Sequence, residues 1–195
     1  MDEFLQSIYL EQVKQECEAC FFAIRAFNAA VNSRGTDDPF VHAMALVHRA
    51  AAVSRVFWPP GAKDKRLRQR SQRRGDLLRN LLGVTPNHAI QSRTLRDHFE
   101  HFDERLDDWA ERSKNRNIVK QLLGPRSAIG GDAIEDADII HNYDPATKVY
   151  AFRGEKFDIQ AIAYGIDDLH SKVVRHLEAI AAHRSARVSE FRGLR

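Results

Sequence analysis

Cysteine is nearly missing from this chain of 195 residues, which holds only Cys17 and Cys20. That excludes a disulfide framework and a four-cysteine zinc site. Their C-x-x-C spacing invites a redox or zinc reading, but both fall inside a long helical pattern with no glycine or proline between them. At i and i+3 they are expected to be small buried hydrophobes. Long apolar runs are missing too: none approaches the roughly 20 residues needed to cross a bilayer. The start, MDEFLQSIYLEQ, is acidic and amphipathic, without the basic n-region and small-residue cleavage site of a secretory signal. A cytoplasmic protein without membrane contact is the expectation. Neither a glycine-rich phosphate loop nor a Gly-x-Ser-x-Gly elbow is present, and no internal repeat or low-complexity tract is visible.

What is present is helical patterning. Hydrophobic residues make up 43% of the chain and charged residues 29%, enough for one well-buried domain over residues 1–195. From about Phe4 to Asn32 the set Tyr9, Val13, Cys17, Cys20, Ile24, Phe27 and Val31 keeps helical spacing. Gly35 lies in the break that follows. Asp38 and Pro39 form an N-cap and first-turn pair for a second helix, stopped after Trp58 by Pro59, Pro60 and Gly61. The two helices are expected to be antiparallel neighbours. A last helix begins at the N-cap Asp158 and buries Ile159, Ile162, Ile166, Leu169, Val173, Leu177 and Ile180. Beyond it, residues 184–195 form a basic tail with Arg184, Arg187, Arg192 and Arg195, expected to fray.

Charge is concentrated rather than large. The net charge is +3 and the sequence pI about 9.0, which suits a polyanionic partner where the positive residues cluster. They do so in KDKRLRQRSQRR, Lys63 to Arg74, against the single acid Asp64. Leu77, Leu78, Leu81 and Leu82 follow, giving a third helix that closes on Gly83. Its basic half is either a solvated face or a nucleic-acid contact surface. Arg66, Arg68, Arg70, Arg73 and Arg74 are the candidate RNA contacts, since guanidinium groups suit phosphate oxygens.

Thr85 and Pro86 are expected to start a fourth helix that continues, with a break near Ser92, to about Lys114. Composition then changes: a short helical turn at Ile118 to Leu123 precedes a glycine- and proline-bearing connection. Asp138 to Gly154 reads as a β-hairpin turning at Asp144, Pro145, Ala146 and Thr147. The expected fold is an all-α bundle of four to five helices with a small hairpin, about residues 137–154, inserted before the last helix.

The stretch SRTLRDHFEHFDERLDDW, Ser92 to Trp109, carries the candidate chemistry. Leu95, Phe99, Phe102, Leu106 and Trp109 make one apolar stripe, leaving Arg93, Arg96, Asp97, His98, Glu100, His101, Asp103, Glu104 and Arg105 for the other faces. The pattern Arg96-Asp97-x-x-x-His101 resembles the signature of the HEPN superfamily, the higher eukaryote and prokaryote nucleotide-binding domains. Their mark is an Arg, four to six residues, then His, commonly with Asn, Asp or His after the Arg. Arg93 to His98 offers a second register on the same helix. The resemblance implies an all-α bundle acting as a metal-independent endoribonuclease in a toxin, phage-defence or RNA-processing role. It implies His101 as general acid or base and Arg96 as transition-state stabiliser, with Asp97 and His98 assisting. It also implies a composite site in a homodimer, no cofactor and, for toxins, a neutralising antitoxin protein. Where one toxin subgroup carries Tyr two residues after the His, this chain has Asp103.

The residues support that chemistry without the family. Cleavage of RNA by its own 2′-hydroxyl needs a base, an acid for the leaving 5′-oxygen, and a cation for the phosphorane. Imidazole serves as either proton carrier near neutral pH, and Arg stays charged. Asp97, four residues before His101, is placed to fix its tautomer. On one helix Arg96 and His101 point about 140° apart, so two copies about a twofold axis are expected to complete the site. Rival readings are an inert face of ion pairs such as Arg96 with Glu100 and Asp108 with Arg112, and a metal held by His98, His101 and Glu104 or Asp108. A non-catalytic module binding nucleic acid or protein is the alternative function. His42, His48, His88, His141, His170, His176 and His183 are scattered and suggest no role.

Overall fold

The computed structural model describes residues 1–33, 37–92, 102–131 and 133–193, and for residues 102, 105 and 187–193 the backbone alone. Helix α1, Glu3–Asn32, opens on Asp2, whose carboxylate accepts from the Leu5 amide at 2.7 Å. Leu10, Val13, Cys17, Cys20, Ala23, Phe27 and Ala30 form its buried face. Burial pushes the Cys20 thiol up to about 12, and Cys17 also upward, so both behave as small hydrophobes and neither as a thiolate. Helix α2, Pro39–Phe57, starts where expected: Asp38 accepts from the Phe40 amide at 2.9 Å, with Pro39 in the first turn. The Arg49–Glu16 ion pair at 3.1 Å ties the two helices in antiparallel register.

Helix α3, Lys65–Leu82, is capped by Asp64 and ends on Gly83 in the left-handed region, φ 58°. Thr85 and Pro86 do not start a helix. Asn87 takes a positive φ of 62°, and the described residues up to Ser92 hold a 3-10 turn, Ala89–Gln91. That turn docks on the final helix at Gly165, where an added Cβ would lie 3.1 Å from His88 Cε1 and 3.2 Å from Ala89 Cβ. Helix α4 spans Phe102–Arg112. Its Leu106 is 37% exposed, so the stripe drawn from Leu95 to Trp109 is not buried throughout. Trp109 makes the inward contact instead, by a hydrogen bond.

The expected hairpin is the middle of a larger element. Strands β1 (Val119–Leu123), β2 (Ile139–Asp144), β3 (Val149–Phe152) and β4 (Glu155–Asp158) form one sheet in that order, β1 parallel to β2 and the rest antiparallel. The expected helical turn at Ile118 to Leu123 is thus replaced by a strand over Val119–Leu123. A short apolar run fits either period, and pairing with β2 decides it. The turn at 144–147 forms as expected, with the Asp144 carboxylate accepting from the Ala146 amide at 2.9 Å. Tyr143, Tyr150 and Phe157 stand opposite one another across three strands, all buried. Tyr143 meets Phe27 of α1 edge to face at 4.7 Å, and this contact supplies the packing that an isolated hairpin lacks.

Helix α5, Ile159–Gly193, follows β4 directly, with Asp158 accepting from the Ala161 amide at 2.8 Å. It continues through the tail expected to fray. Ala181, Ala182, Arg184 and Ala186 are good helix formers, and Arg184 reaches Glu3 of α1 at 2.9 Å. One continuous hydrophobic cluster joins α1, α2, α3, the 3-10 turn, the sheet and α5. The fold is a helical bundle of about five helices with a four-stranded sheet inserted before the last. Among the described residues no helix is long and apolar enough to cross a membrane.

Candidate nucleic-acid interface

Residues 66, 70 and 73 of α3 fall within about 60° of one another around the helix axis, some 140° from Gly75, Leu78 and Leu82. Those three are the buried positions of α3, so Arg66, Arg70 and Arg73 all project into solvent. The row is about 10 Å long at 1.5 Å per residue. Among the described residues none of the three makes an ion pair.

The remaining arginines of this helix have structural duties. Arg68 stays exposed, but its Nε donates to the Ala62 carbonyl at 2.8 Å and holds the entry loop. Arg74, grouped with the RNA contacts by sequence alone, turns inward. It donates to the carbonyls of Val56 at 3.3 Å and Arg55 at 3.1 Å, and its guanidinium lies over the Tyr9 ring at 5.2 Å. Arg79 donates to the Phe57 carbonyl and to Asp76 and covers the Trp58 ring at 5.8 Å. Together Arg74 and Arg79 satisfy the C-terminal carbonyls of α2, which have no partners within that helix, and place positive charge at the negative end of its dipole. The close approach depends on Gly75: an added Cβ would lie 2.4 Å from the Phe57 carbonyl oxygen and 2.9 Å from Pro59 Cδ.

Further along α3, Leu77 and Leu81 are part-exposed, at 39% and 37%. An open groove of about 260 Å³ begins there, lined by Leu81, Leu82, Lys172, Arg175, His176 and Ala179. Lys172 is already engaged, donating to Asp168 at 2.7 Å. Asp168 also faces His88 Nε2 at 3.3 Å. His88 Nδ1 accepts from the Ile90 amide at 3.4 Å, so the ring carries its proton on Nε2. Burial, helped by the nearby Lys172 charge, lowers the His88 pKa against the opposing pull of Asp168. His88, stacked on Trp58 at 5.6 Å, therefore works as a neutral brace between the 3-10 turn and α5. His141 is also drawn inward: its Nδ1 lies 2.9 Å from the Tyr150 hydroxyl.

A second cleft, of about 200 Å³, opens beside α4 and is lined by Asp108, Trp109, Arg112, Ser113, Glu135, Ala137, Asp138 and Arg153. The Asp138 carboxylate, 4% exposed, accepts from Trp109 Nε1 at 2.8 Å, Ser113 Oγ at 3.1 Å and the Glu135 amide at 2.8 Å. Burial opposes its charge, but those donors and Arg126 outweigh it and hold the carboxyl below its ordinary value. A group depressed in this way adds stability above its unfolded pKa, near 4, and loses it as pH falls through the folded value. We expect Asp138→Asn, which turns an N–H toward another donor, to cost about 2–3 kcal/mol at pH 7. The loss should shrink below about pH 4, as read by urea denaturation at both pH values. An equal loss at both would contradict the carboxylate's role.

Arg93, Arg96, Asp97, His98 and His101 lie outside the described residues, as does the Arg96–Glu100 pair. The Asp108–Arg112 pair forms, at 3.9 Å. Among the described residues no group of His, Cys, Asp or Glu is arranged to hold a metal. The sequence missed the Trp109–Asp138–Arg153 cleft, because Trp109 fitted the apolar stripe and its partner stands 29 residues away. No family model, curated protein or solved structure matches the chain.

Proposed function

We propose that this chain binds RNA along α3 and cleaves it without a metal, as a HEPN-type endoribonuclease. The observation that carries the reading is the solvent-facing row of Arg66, Arg70 and Arg73, free of ion pairs among the described residues. Such a row is costly in self-repulsion and suited to successive phosphates. The chemistry rests on the sequence: His101 moves the proton of the 2′-hydroxyl or of the leaving 5′-oxygen, Arg96 neutralises the phosphorane, and Asp97 and His98 assist. Arg93, beside that pattern, adds to the phosphate contacts. A homodimer supplies two copies of the Arg and His to one cleft. A toxin, defence or RNA-processing role follows, with an antitoxin protein as partner in the first case.

The arginine row also favours a second reading, binding without cleavage, because phosphate contact asks nothing of His101. Incubating the purified protein with total RNA in EDTA separates the two. Fragments ending in 2′,3′-cyclic phosphate support the nuclease. Bound but intact RNA leaves a binding module, and RNA neither bound nor cut refutes both.

A further inference from the structure

We propose that the cleft beside α4 receives a single nucleobase of the bound RNA, stacked on the Arg153 guanidinium that itself lies over the Trp109 indole. This rests on the RNA-binding reading above and names a subsite for it.

The cleft is built, not incidental. The Trp109 indole is fixed by its N–H to Asp138, whose carboxylate is fixed in turn by Ser113 and the Glu135 amide. A wall pinned in this way meets a flat ligand with little ordering cost. Arg153 lies over the same indole, 5.7 Å from its centroid. Its position comes from the tight β3–β4 turn, where Arg153 and Gly154 both take positive φ, 48° and 81°. Positive φ at both positions is what a two-residue hairpin turn requires, so the turn alone sets where the Arg153 backbone points. Single-stranded RNA is read by aromatic rings and guanidinium planes that stack on splayed-out bases.

Charge decides which part of the nucleotide enters. Asp108, Glu135 and Asp138 line the cleft together with Arg112 and Arg153. A phosphate would meet three carboxylates there, whereas a base is neutral and offers amino and ring N–H groups to them. About 200 Å³ is below the usual range for drug-sized ligands, which suits one base rather than a stacked pair. Phosphates go to α3 and one base goes to the cleft.

The test compares two single-stranded 2′-O-methyl oligonucleotides of equal length and charge, one bearing bases and one abasic throughout. Neither can be cleaved, because the 2′-oxygen is blocked. Wild type should prefer the base-bearing strand. In Trp109→Leu that preference should fall about fivefold or more, the lower end of what one stacked base contributes. Arg153→Asn, which tolerates the positive φ, should reduce it as well, and it guards against misfolding of the tryptophan variant. Binding of the abasic strand should not change in either variant. If both folded variants keep the wild-type preference, the subsite is refuted while RNA binding stands. If wild type binds neither strand, the RNA reading itself fails.

Discussion

We expect His101→Ala to abolish cleavage of RNA in EDTA while leaving RNA binding within a few-fold of wild type. A positioned general acid or base contributes about 10²–10⁴-fold to such a reaction, enough to take a slow nuclease below detection. The phosphate contacts assigned to α3 do not involve the imidazole, so affinity and cleavage should separate. Arg96→Ala should lower both, since a guanidinium that stabilises the phosphorane also touches the phosphate in the ground state. The two registers are distinguished by His98→Ala, which leaves more activity than His101→Ala if Arg96 and His101 form the working pair. Equal cleavage by wild type and His101→Ala would remove the assignment.

Gly75→Ala is expected to cost about 3 kcal/mol or more, although alanine in a helix interior normally gains close to 1 kcal/mol over glycine. The reversal is steric. The new methyl would sit 2.4 Å from the Phe57 carbonyl oxygen, which belongs to the last turn of α2 and already accepts from Arg79, so it cannot turn aside. Helix α3 must move away from α2, loosening Arg74 and Arg79 from the carbonyls they cap. For a chain of this size the loss corresponds to a fall in Tm of roughly 6–12 °C. A thermal melt with unchanged or raised Tm would show that α3 does not approach α2 this closely.

The long helices were legible because periodicity and caps agree. Asp38–Pro39, Gly83 and Asp158 each sit where a helix must start or stop, and each does so here. Strands β1 and β4 were not legible. Val119–Leu123 buries only Leu122 and pairs with residues some 20 positions away, so no local pattern marks it. Arg73 and Arg74 show the same limit at a single step. Neighbours in sequence, they point about 100° apart, and only the contact of α3 with α2 decides which meets solvent and which caps a helix. Gly75 was the available clue, a small residue where two backbones close up. Trp109 satisfied the apolar spacing but belongs to a polar network with Asp138, a partner that only the fold brings near.

The proposed RNA-binding face stands on the arginine row of α3. Its direct test is the salt dependence of binding to a non-cleavable single strand, for wild type and for Arg66, Arg70 and Arg73 all changed to Gln. Each phosphate neutralised contributes about 0.7 to the slope of log affinity against log salt for single strands, so the triple variant should lose about 2 from that slope. Neutralising the exposed sheet lysines Lys120, Lys148 and Lys156 should change it little. A triple variant with the wild-type slope and affinity would show that RNA, if bound, is held elsewhere on the molecule.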